Sequence, residues 1–134
     1  MERYPEYHFS MSQPQTYSFL KQDDPELYER LCQRVAEGRF EPVGAMWLEP
    51  DCNVTGGESL VRQVIHGMRF FEGEFGLIEH VIWLPDVFGY SAALPQIMRL
   101  AGISCFMTTK ISWNQFNRMP CDTFRWREIG RAHV

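Results

Sequence analysis

One carboxylate stands at the end of an apolar run in residues 83–91, which have the sequence WLPDVFGYS. Asp86 follows Pro85 and precedes a turn that contains Gly89. In general, a carboxylate at such a place can attack an electrophilic carbon or bind a metal ion. Pro-Asp is equally common in ordinary turns, and an Asp in this position can also cap a helix. The residues by themselves therefore leave a chemical role and a structural role for Asp86 open.

Polar residues follow the other predicted strands in the same manner. Because the carboxyl ends of parallel strands meet at one edge of a sheet, we expect these side chains to converge near Asp86. Taken singly, Glu49 and Asp51 fit solvated loop acids, and Lys110 fits an ordinary surface lysine. The convergence is therefore more informative than any one residue, and the set comprises Ser10, Ser12, Gln13, Glu49, Asp51, Asn53, Asp86, Lys110, Trp113 and Asn114.

The elements that would position these residues alternate between short apolar runs and amphipathic helices. We predict strands at residues 8–11, 43–48, 80–84 and 105–108, with a weaker fifth at 123–126. The third run is mostly apolar, as expected for a strand that is covered on both faces. Alternation of strands and helices is typical of a parallel sheet with right-handed crossovers, so the sequence predicts an α/β fold.

Three helices are predicted between these strands. The first runs from Pro25 to about residue 37, because an acidic residue precedes Pro25 and apolar residues recur at helical spacing. The second follows Thr55, which we expect to form a capping box with Glu58. The third spans residues 94–100 and carries a proline near its start.

Composition excludes several classes of function. The chain has 134 residues, of which 45% are hydrophobic, and this is typical of one globular domain. The formal net charge of -4 offers no basic surface for nucleic acid, and no apolar run is long enough to span a membrane. The four cysteines form no C-x-x-C pair, and the histidines form no H-x-x-x-H pair, so the spacing indicates neither a disulfide framework nor a zinc motif.

Three segments closely resemble the α-mannosidases of glycoside hydrolase family 38, in the style of the cytosolic and bacterial branch. They are EGRFEPVGAMWLEPDCNVTGGESLVRQ, WLPDVFGYSAALPQIMRLAGI and TTKISWNQFNRMP, and the likeness runs from about Phe9 to Trp126. The resemblance implies a catalytic domain built as a parallel β/α barrel, with about seven strands in the family, of which this chain is an incomplete part. It also implies hydrolysis of α-linked mannosides with retention of configuration, supported by one zinc ion.

The resemblance assigns roles to particular residues. Asp86 is the expected nucleophile and also a zinc ligand, and Lys110 is expected to orient Asp86 and favour its ionised form. Asp51, Trp113 and Asn114 are expected to line the sugar pocket, whereas Trp47 fits core packing better. The implied partner is an α-mannoside oligosaccharide, and a homo-oligomer of the complete enzyme is left open. Branch resemblance and unpaired cysteines together imply a cytoplasmic location.

Parts of the family's site are missing from the sequence. The remaining zinc ligands are a His-x-Asp pair and a downstream His, and no H-x-D occurs here. The general acid is also expected downstream. We therefore expect residues 1–127 to be part of the catalytic domain and inactive in isolation. Residues 128–134 are expected to be a non-native tail, because ATC GGA AGA GCA CAC GTC, one reverse translation of residues 129–134, resembles a sequencing adapter.

Two alternatives remain open at this stage. A polysaccharide deacetylase-like hydrolase on a related barrel would need an Asp-Asp and H-x-x-x-H set, which this sequence lacks. A non-catalytic carbohydrate-binding relic would have kept the pocket and lost the chemistry. An acid at Asp86 together with a cation at Lys110 argues against such a relic.

Overall fold

The computed structural model describes residues 3–127. Its strands are β1 (Phe9–Met11), β2 (Phe40–Pro42), β3 (Val81–Trp83) and β4 (Cys105–Met107). The helices are α1 (Pro14–Asp23), α2 (Pro25–Ala36), α3 (Gly57–Phe75) and α4 (Leu94–Leu100), and a 3-10 turn occupies Lys110–Trp113. The predicted tail at 128–134 lies outside the described residues.

The strands form two parallel pairs. β1 pairs with β2 in the register Phe9 to Phe40, and β3 pairs with β4 in the register Val81 to Cys105. One backbone hydrogen bond of 2.8 Å, from Ala45 N–H to the carbonyl oxygen of Val81, links the chain after β2 to β3. The fold is thus a mixed α/β arrangement with short parallel strand pairs, which confirms the predicted class. Residues 3–127 do not themselves close into a barrel.

The predicted second strand at residues 43–48 is wrong. The strand ends at Pro42, and the following residues bend through the core with Val43, Ala45 and Met46 buried. Gly44 has a φ of +91°, a left-handed conformation that breaks the extended backbone of a strand. These residues are apolar because they are buried, and apolar character alone cannot distinguish a buried strand from a buried bend.

Helix α1 was not predicted, and the predicted capping box of α3 is wrong. α1 starts at Pro14 without a side-chain cap and is only weakly amphipathic, so it gave little sequence signal. α3 begins one residue later than a Thr55 cap requires, with Gly56 at the cap position and no side-chain hydrogen bond. The Thr55 N–H instead donates to the Asp51 carbonyl oxygen at 3.0 Å, and Glu58 pairs with Arg62 at 2.7 Å.

Two apolar clusters fill the interior. One lies among α1, α2 and α3 around Tyr17, whose hydroxyl donates to the Met11 carbonyl oxygen at 2.6 Å and so fixes the end of β1. The other lies under α3 and α4 and contains the fully buried Ile82, Leu84 and Leu94. Ile82 and Leu84 lie on either side of Trp83, the last residue of β3. Their close packing therefore fixes the position of the chain just before Asp86.

The predicted fifth strand at residues 123–126 is also wrong. This segment has no strand partner and lies against β4 instead, where the Trp126 ring packs edge-on against Phe106 at 5.0 Å between centroids. Aromatic residues predict a strand here because packing and strand formation favour the same residue types. None of the helices in residues 3–127 combines the length and apolar character that a membrane crossing requires.

Candidate functional site

The ends of β3 and β4 bring Asp86 and Lys110 into neighbouring loops. The Leu84 N–H donates to the Met107 carbonyl oxygen at 2.9 Å, which extends the parallel pairing to the last residue before Pro85. The Thr109 hydroxyl then donates to the Pro85 carbonyl oxygen at 2.6 Å. These two bonds tie the loops together, so the residues that follow each strand face one another as the parallel pattern predicts.

Asp86 and Lys110 form an ion pair, with Lys110 Nζ 2.7 Å from Asp86 Oδ1. The two partners differ in exposure, because the Asp86 side chain is 75% exposed and the Lys110 side chain only 11%. The ammonium group also lies 3.3 Å from the centroid of the Trp113 ring and 5.2 Å from that of Phe88. A lysine held between two aromatic rings and a carboxylate is fixed in place, and it presents the carboxylate to solvent.

The loop after Met46 packs beneath the turn that follows Asp86. Asp51 Oδ1 accepts the Asn53 N–H at 2.9 Å, and the Cys52 N–H donates to the Gly89 carbonyl oxygen at 3.2 Å. A Cβ at position 89 would lie 2.5 Å from Asp51 Oδ1 and would also collide with the Asn53 side chain. Glycine is thus required at position 89 for the close approach of the two loops, and Asp51 lies beside the Asp86 turn as predicted.

Tyr90 closes the turn after Asp86. Its hydroxyl donates to the Val87 carbonyl oxygen at 2.8 Å and also contacts the Thr108 hydroxyl. Burial raises the pKa of Tyr90, the Thr108 hydrogen bond lowers it, and the negative charges of nearby groups, including Asp51 and Glu49, raise it further. The phenol therefore stays protonated at neutral pH and keeps its hydrogen-bond donor.

Glu49 makes more contacts within the site than its sequence position indicates. Its Oε1 accepts hydrogen bonds from the Ser12 hydroxyl and from Gln13 Nε2, both at 3.2 Å. Its Oε2 accepts the Asp86 N–H at 3.4 Å. Taken singly the residue fits a solvated loop acid, whereas the convergence of strand ends predicts that it lies near Asp86. Its place directly after a buried segment was the available signal, since polar residues there face the other strand ends.

The remaining predicted residues differ in whether they contact the Asp86–Lys110 pair. Trp113 contacts Lys110 directly and is 65% exposed. Asn114 Oδ1 accepts the N–H groups of Phe116 and Asn117, both at 2.9 Å, so this oxygen shapes a turn. Ser10 does not join the site, because its hydroxyl bonds Glu41 Oε2 at 2.6 Å on the strand pair.

Trp47 packs in the way that the sequence predicted. Its ring lies edge-on to Phe70 with 5.6 Å between centroids, and its Nε1 donates to Gln15 Oε1 at 2.8 Å. Both contacts join the loop after Met46 to helices α1 and α3. Trp47 therefore supports the loop rather than lining its outer surface.

The described residues do not form a complete metal site. Across residues 3–127, no three histidine, cysteine, aspartate or glutamate side chains come together in a way that could hold a metal ion. Zinc sites in proteins usually have four ligands, of which a carboxylate can be one. Asp86 can be one such ligand, because its carboxylate side chain is 75% exposed.

Comparisons with known proteins place this chain in a family. Residues 1–134 match the family described as glycosyl hydrolases family 38 N-terminal domain. Over the whole chain, the sequence is 48% identical to α-mannosidase G of Dictyostelium discoideum and 46% identical to α-mannosidase of Saccharomyces cerevisiae and to human α-mannosidase 2C1. The chain spans only 12%, 12% and 13% of the lengths of these three relatives.

A solved structure supports the architecture independently. The 4-alpha-glucanotransferase from Thermococcus litoralis superposes with a TM-score of 0.64 over 78% of this chain and 16% of that chain, at 20% sequence identity. At this identity the likeness concerns the fold alone. The chain belongs to glycosyl hydrolase family 38, and residues 1–134 match its N-terminal domain.

Proposed function

We propose that this chain is part of the catalytic domain of a zinc-dependent, retaining α-mannosidase, and that Asp86 is its nucleophile. The observation that carries the proposal is the Asp86–Lys110 pair, with an exposed carboxylate held at 2.7 Å by a nearly buried ammonium group. Membership of a family whose characterised relatives are named α-mannosidases gives the substrate class.

The chemistry requires a carboxylate that is ionised, oriented and open to the sugar. In a retaining glycosidase, one carboxylate attacks the anomeric carbon, and a second carboxyl group about 5–5.5 Å away protonates the leaving oxygen. Asp86 fits the first role, and Lys110 would orient it through the 2.7 Å contact to Oδ1. We assign the second role to a residue outside this chain. Asp51, Trp113 and Asn114 would contact the α-mannoside oligosaccharide around the nucleophile.

Zinc is proposed as a bound group with Asp86 as one ligand. The remaining ligands would come from outside this chain, because the described residues provide no complete set. When bound there, zinc would hold sugar hydroxyls and stabilise charge on the distorted sugar. Asp86 would still be held by Lys110 through Oδ1, so the protein itself fixes the attacking group.

Larger-scale features follow from the same proposal. The parallel pairs β1–β2 and β3–β4 would be a section of a closed β/α barrel, with Asp86 at the carboxyl ends of its strands.

A cytoplasmic location is proposed from the branch that the sequence resembles. The adapter origin of residues 128–134 stays a prediction, and codons in the source DNA that differ from the adapter would contradict it.

The proposal can be tested with Asp86→Ala in the complete enzyme that contains this chain. We expect hydrolysis of 4-nitrophenyl α-mannoside to fall by at least about 10³-fold, because the covalent step needs this carboxylate. The matched control is Asp23→Ala, which removes an exposed acid at the end of α1. A binding module would behave differently, since Asp86→Ala would leave mannoside affinity largely intact and the unmodified protein would show no turnover.

A further inference from the structure

We propose that Glu49 is a positioning residue that fixes the backbone of Asp86 and thereby the direction of the nucleophile. The inference rests on the proposed function, since it names a further residue for the same site. Glu49 would act through Asp86 and need not touch the sugar. It complements Lys110, which holds the carboxylate end of Asp86, whereas Glu49 holds the main-chain end.

Glu49 joins the ends of separate elements through one carboxylate. Ser12 and Gln13, which follow β1, donate to Oε1, and the N–H of Asp86, which follows β3, donates to Oε2. Each bond connects residues at least 36 positions apart in sequence. A half-buried carboxylate with donors on both oxygens has little freedom to turn. Displacing it would free the loops of β1 and β3 to move relative to each other.

The backbone of Gln13 provides an independent sign that this contact matters. Its φ is +68°, and among residues 3–127 it is the one residue other than glycine with a positive φ. Such a conformation is costly for a residue with a side chain, and it persists only where surrounding contacts enforce it. Here the buried Pro14 follows, and the Gln13 side chain reaches Glu49. Backbone strain of this kind is concentrated at functional sites.

The Asp86 turn is held by hydrogen bonds from two sides. Pro85 precedes Asp86 and its carbonyl oxygen accepts from Thr109, so the turn is pinned from the β4 side. The Glu49 contact pins it from the β1 side. Because the reacting carboxylate must stay aligned with the sugar carbon, a displacement of about 1 Å can cost about 10²-fold in rate.

The test compares Glu49→Ala with Glu49→Gln in the complete enzyme, using 4-nitrophenyl α-mannoside. Alanine removes every acceptor, and we expect kcat to fall about 10²-fold while KM changes by less than about threefold. Glutamine keeps the side-chain shape and one oxygen acceptor, so it should recover most of the lost kcat. Glu58→Ala is the matched control, because Glu58 is an exposed glutamate on α3 that pairs with Arg62 and lies outside the site.

A second variant keeps the inference testable if Glu49→Ala folds poorly. Gln13→Gly relieves the left-handed backbone and deletes one donor to Glu49, so it should maintain or raise the melting temperature and still lower kcat. Wild-type kcat in Glu49→Ala would overturn the inference, and so would equal losses in alanine and glutamine variants that also melt early. An inactive unmodified enzyme would overturn the proposed function and this inference together.

Discussion

At the scale of single residues, Lys110 makes Asp86 different from an ordinary turn aspartate. Its ammonium group contacts Asp86 Oδ1 at 2.7 Å and lies over the Trp113 ring, with Phe88 on another side. A surface lysine would be mobile, whereas this one is surrounded. The electrostatic partner of the proposed nucleophile is therefore built into the fold before any substrate binds.

The first prediction concerns the charge of Lys110. Lys110→Met keeps an apolar stem of similar length against Trp113 and Phe88 but removes the charge that orients Asp86. We expect kcat of the complete enzyme on 4-nitrophenyl α-mannoside to fall by about 10²-fold, with a smaller change in KM. Arg62→Met removes an exposed cation of α3 and serves as control. Equal activity of Lys110→Met and wild type would contradict the assigned role.

The second prediction concerns the close approach at Gly89. Gly89→Ala would push its Cβ into Asp51 and Asn53, so the loop that carries Asp51 must shift. We expect a loss of about 1–3 kcal/mol in the free energy of unfolding, together with lower kcat, because the turn after Asp86 moves as well.

Gly73→Ala is the control for this substitution. A Cβ at position 73 meets nothing within 4 Å, and Gly73 lies inside α3. Alanine there should raise stability by up to about 1 kcal/mol and leave kcat unchanged. Thermal melts and kcat of both variants decide the matter, and a Gly89→Ala enzyme as stable and active as wild type would refute the packing argument.

At the scale of elements, an ion pair ties three helices together at the far side of α3. Lys21 of α1 contacts Glu74 of α3 at 2.7 Å, and the Tyr28 hydroxyl of α2 donates to the same carboxylate at 2.8 Å. The Lys21 hydrogen bond lowers the pKa of Glu74, burial opposes it, and the Tyr28 hydrogen bond lowers it further. Charged Glu74 is thus favoured by the folded state.

The third prediction follows from the lowered pKa of Glu74 in the folded state. Because the folded pKa of Glu74 lies below the unfolded value near 4.5, its stabilisation is present above that pH and is lost as the pH falls through the folded pKa. Glu74→Gln should cost about 1 kcal/mol at pH 7, since the lysine is half exposed, and the cost should shrink toward pH 3. Melting temperatures across this range measure it, with Glu58→Gln as control. A constant difference between wild type and Glu74→Gln would contradict the linkage.

Sequence patterns predicted some elements well and others poorly for physical reasons. β3 and β4 were found because each is a short apolar run bounded by turn residues, and α2 because acid, proline and apolar spacing agree. The predicted strand at 43–48 was wrong because Gly44 adopts a positive φ, and a Cβ there would meet the Trp83 side chain at 3.0 Å, neither of which the local sequence reveals. Tertiary packing decided that segment.

In the candidate site, too, the sequence predicted some contacts and not others. The approach of Lys110 to Asp86 could be predicted, because both follow adjacent strands of a parallel pair. The position of Glu49 near Asp86 was part of the same convergence, but its particular partners could not be predicted, since they lie beside the left-handed Gln13 and the bent chain before Trp47. Residues fixed by strand register are accessible to sequence reasoning, whereas residues fixed by irregular loops are not.

At the scale of the whole molecule, the chain represents a small part of its relatives, about an eighth of each of the three mannosidases compared above. Large apolar side chains remain exposed on its surface, including Ile78 and Leu100 at 65% and 79% exposure. Exposed apolar side chains and unpaired strand edges are expected where neighbouring elements of a larger domain would pack.

The fourth prediction is that the isolated 134-residue chain hydrolyses no α-mannoside and binds zinc weakly. Asp86 offers one ligand where zinc usually has four, and the proposed general acid lies elsewhere. The measurements are 4-nitrophenol release and a zinc titration followed by calorimetry. Asp86→Ala in the same chain is the control for the metal. Robust hydrolysis by the purified chain would show that its residues suffice and would contradict the prediction.

The central claim is that Asp86 forms the covalent bond to mannose, and trapping that bond tests it most directly. The complete enzyme would be incubated with 5-fluoro-α-mannosyl fluoride, whose ring fluorine slows breakdown of a glycosyl–enzyme ester, and its peptides would be sequenced by mass spectrometry. We predict one mannosyl adduct on Asp86 and none in Asp86→Asn. An adduct on Glu49, Asp51 or any other residue, or full turnover without an adduct, would contradict the account.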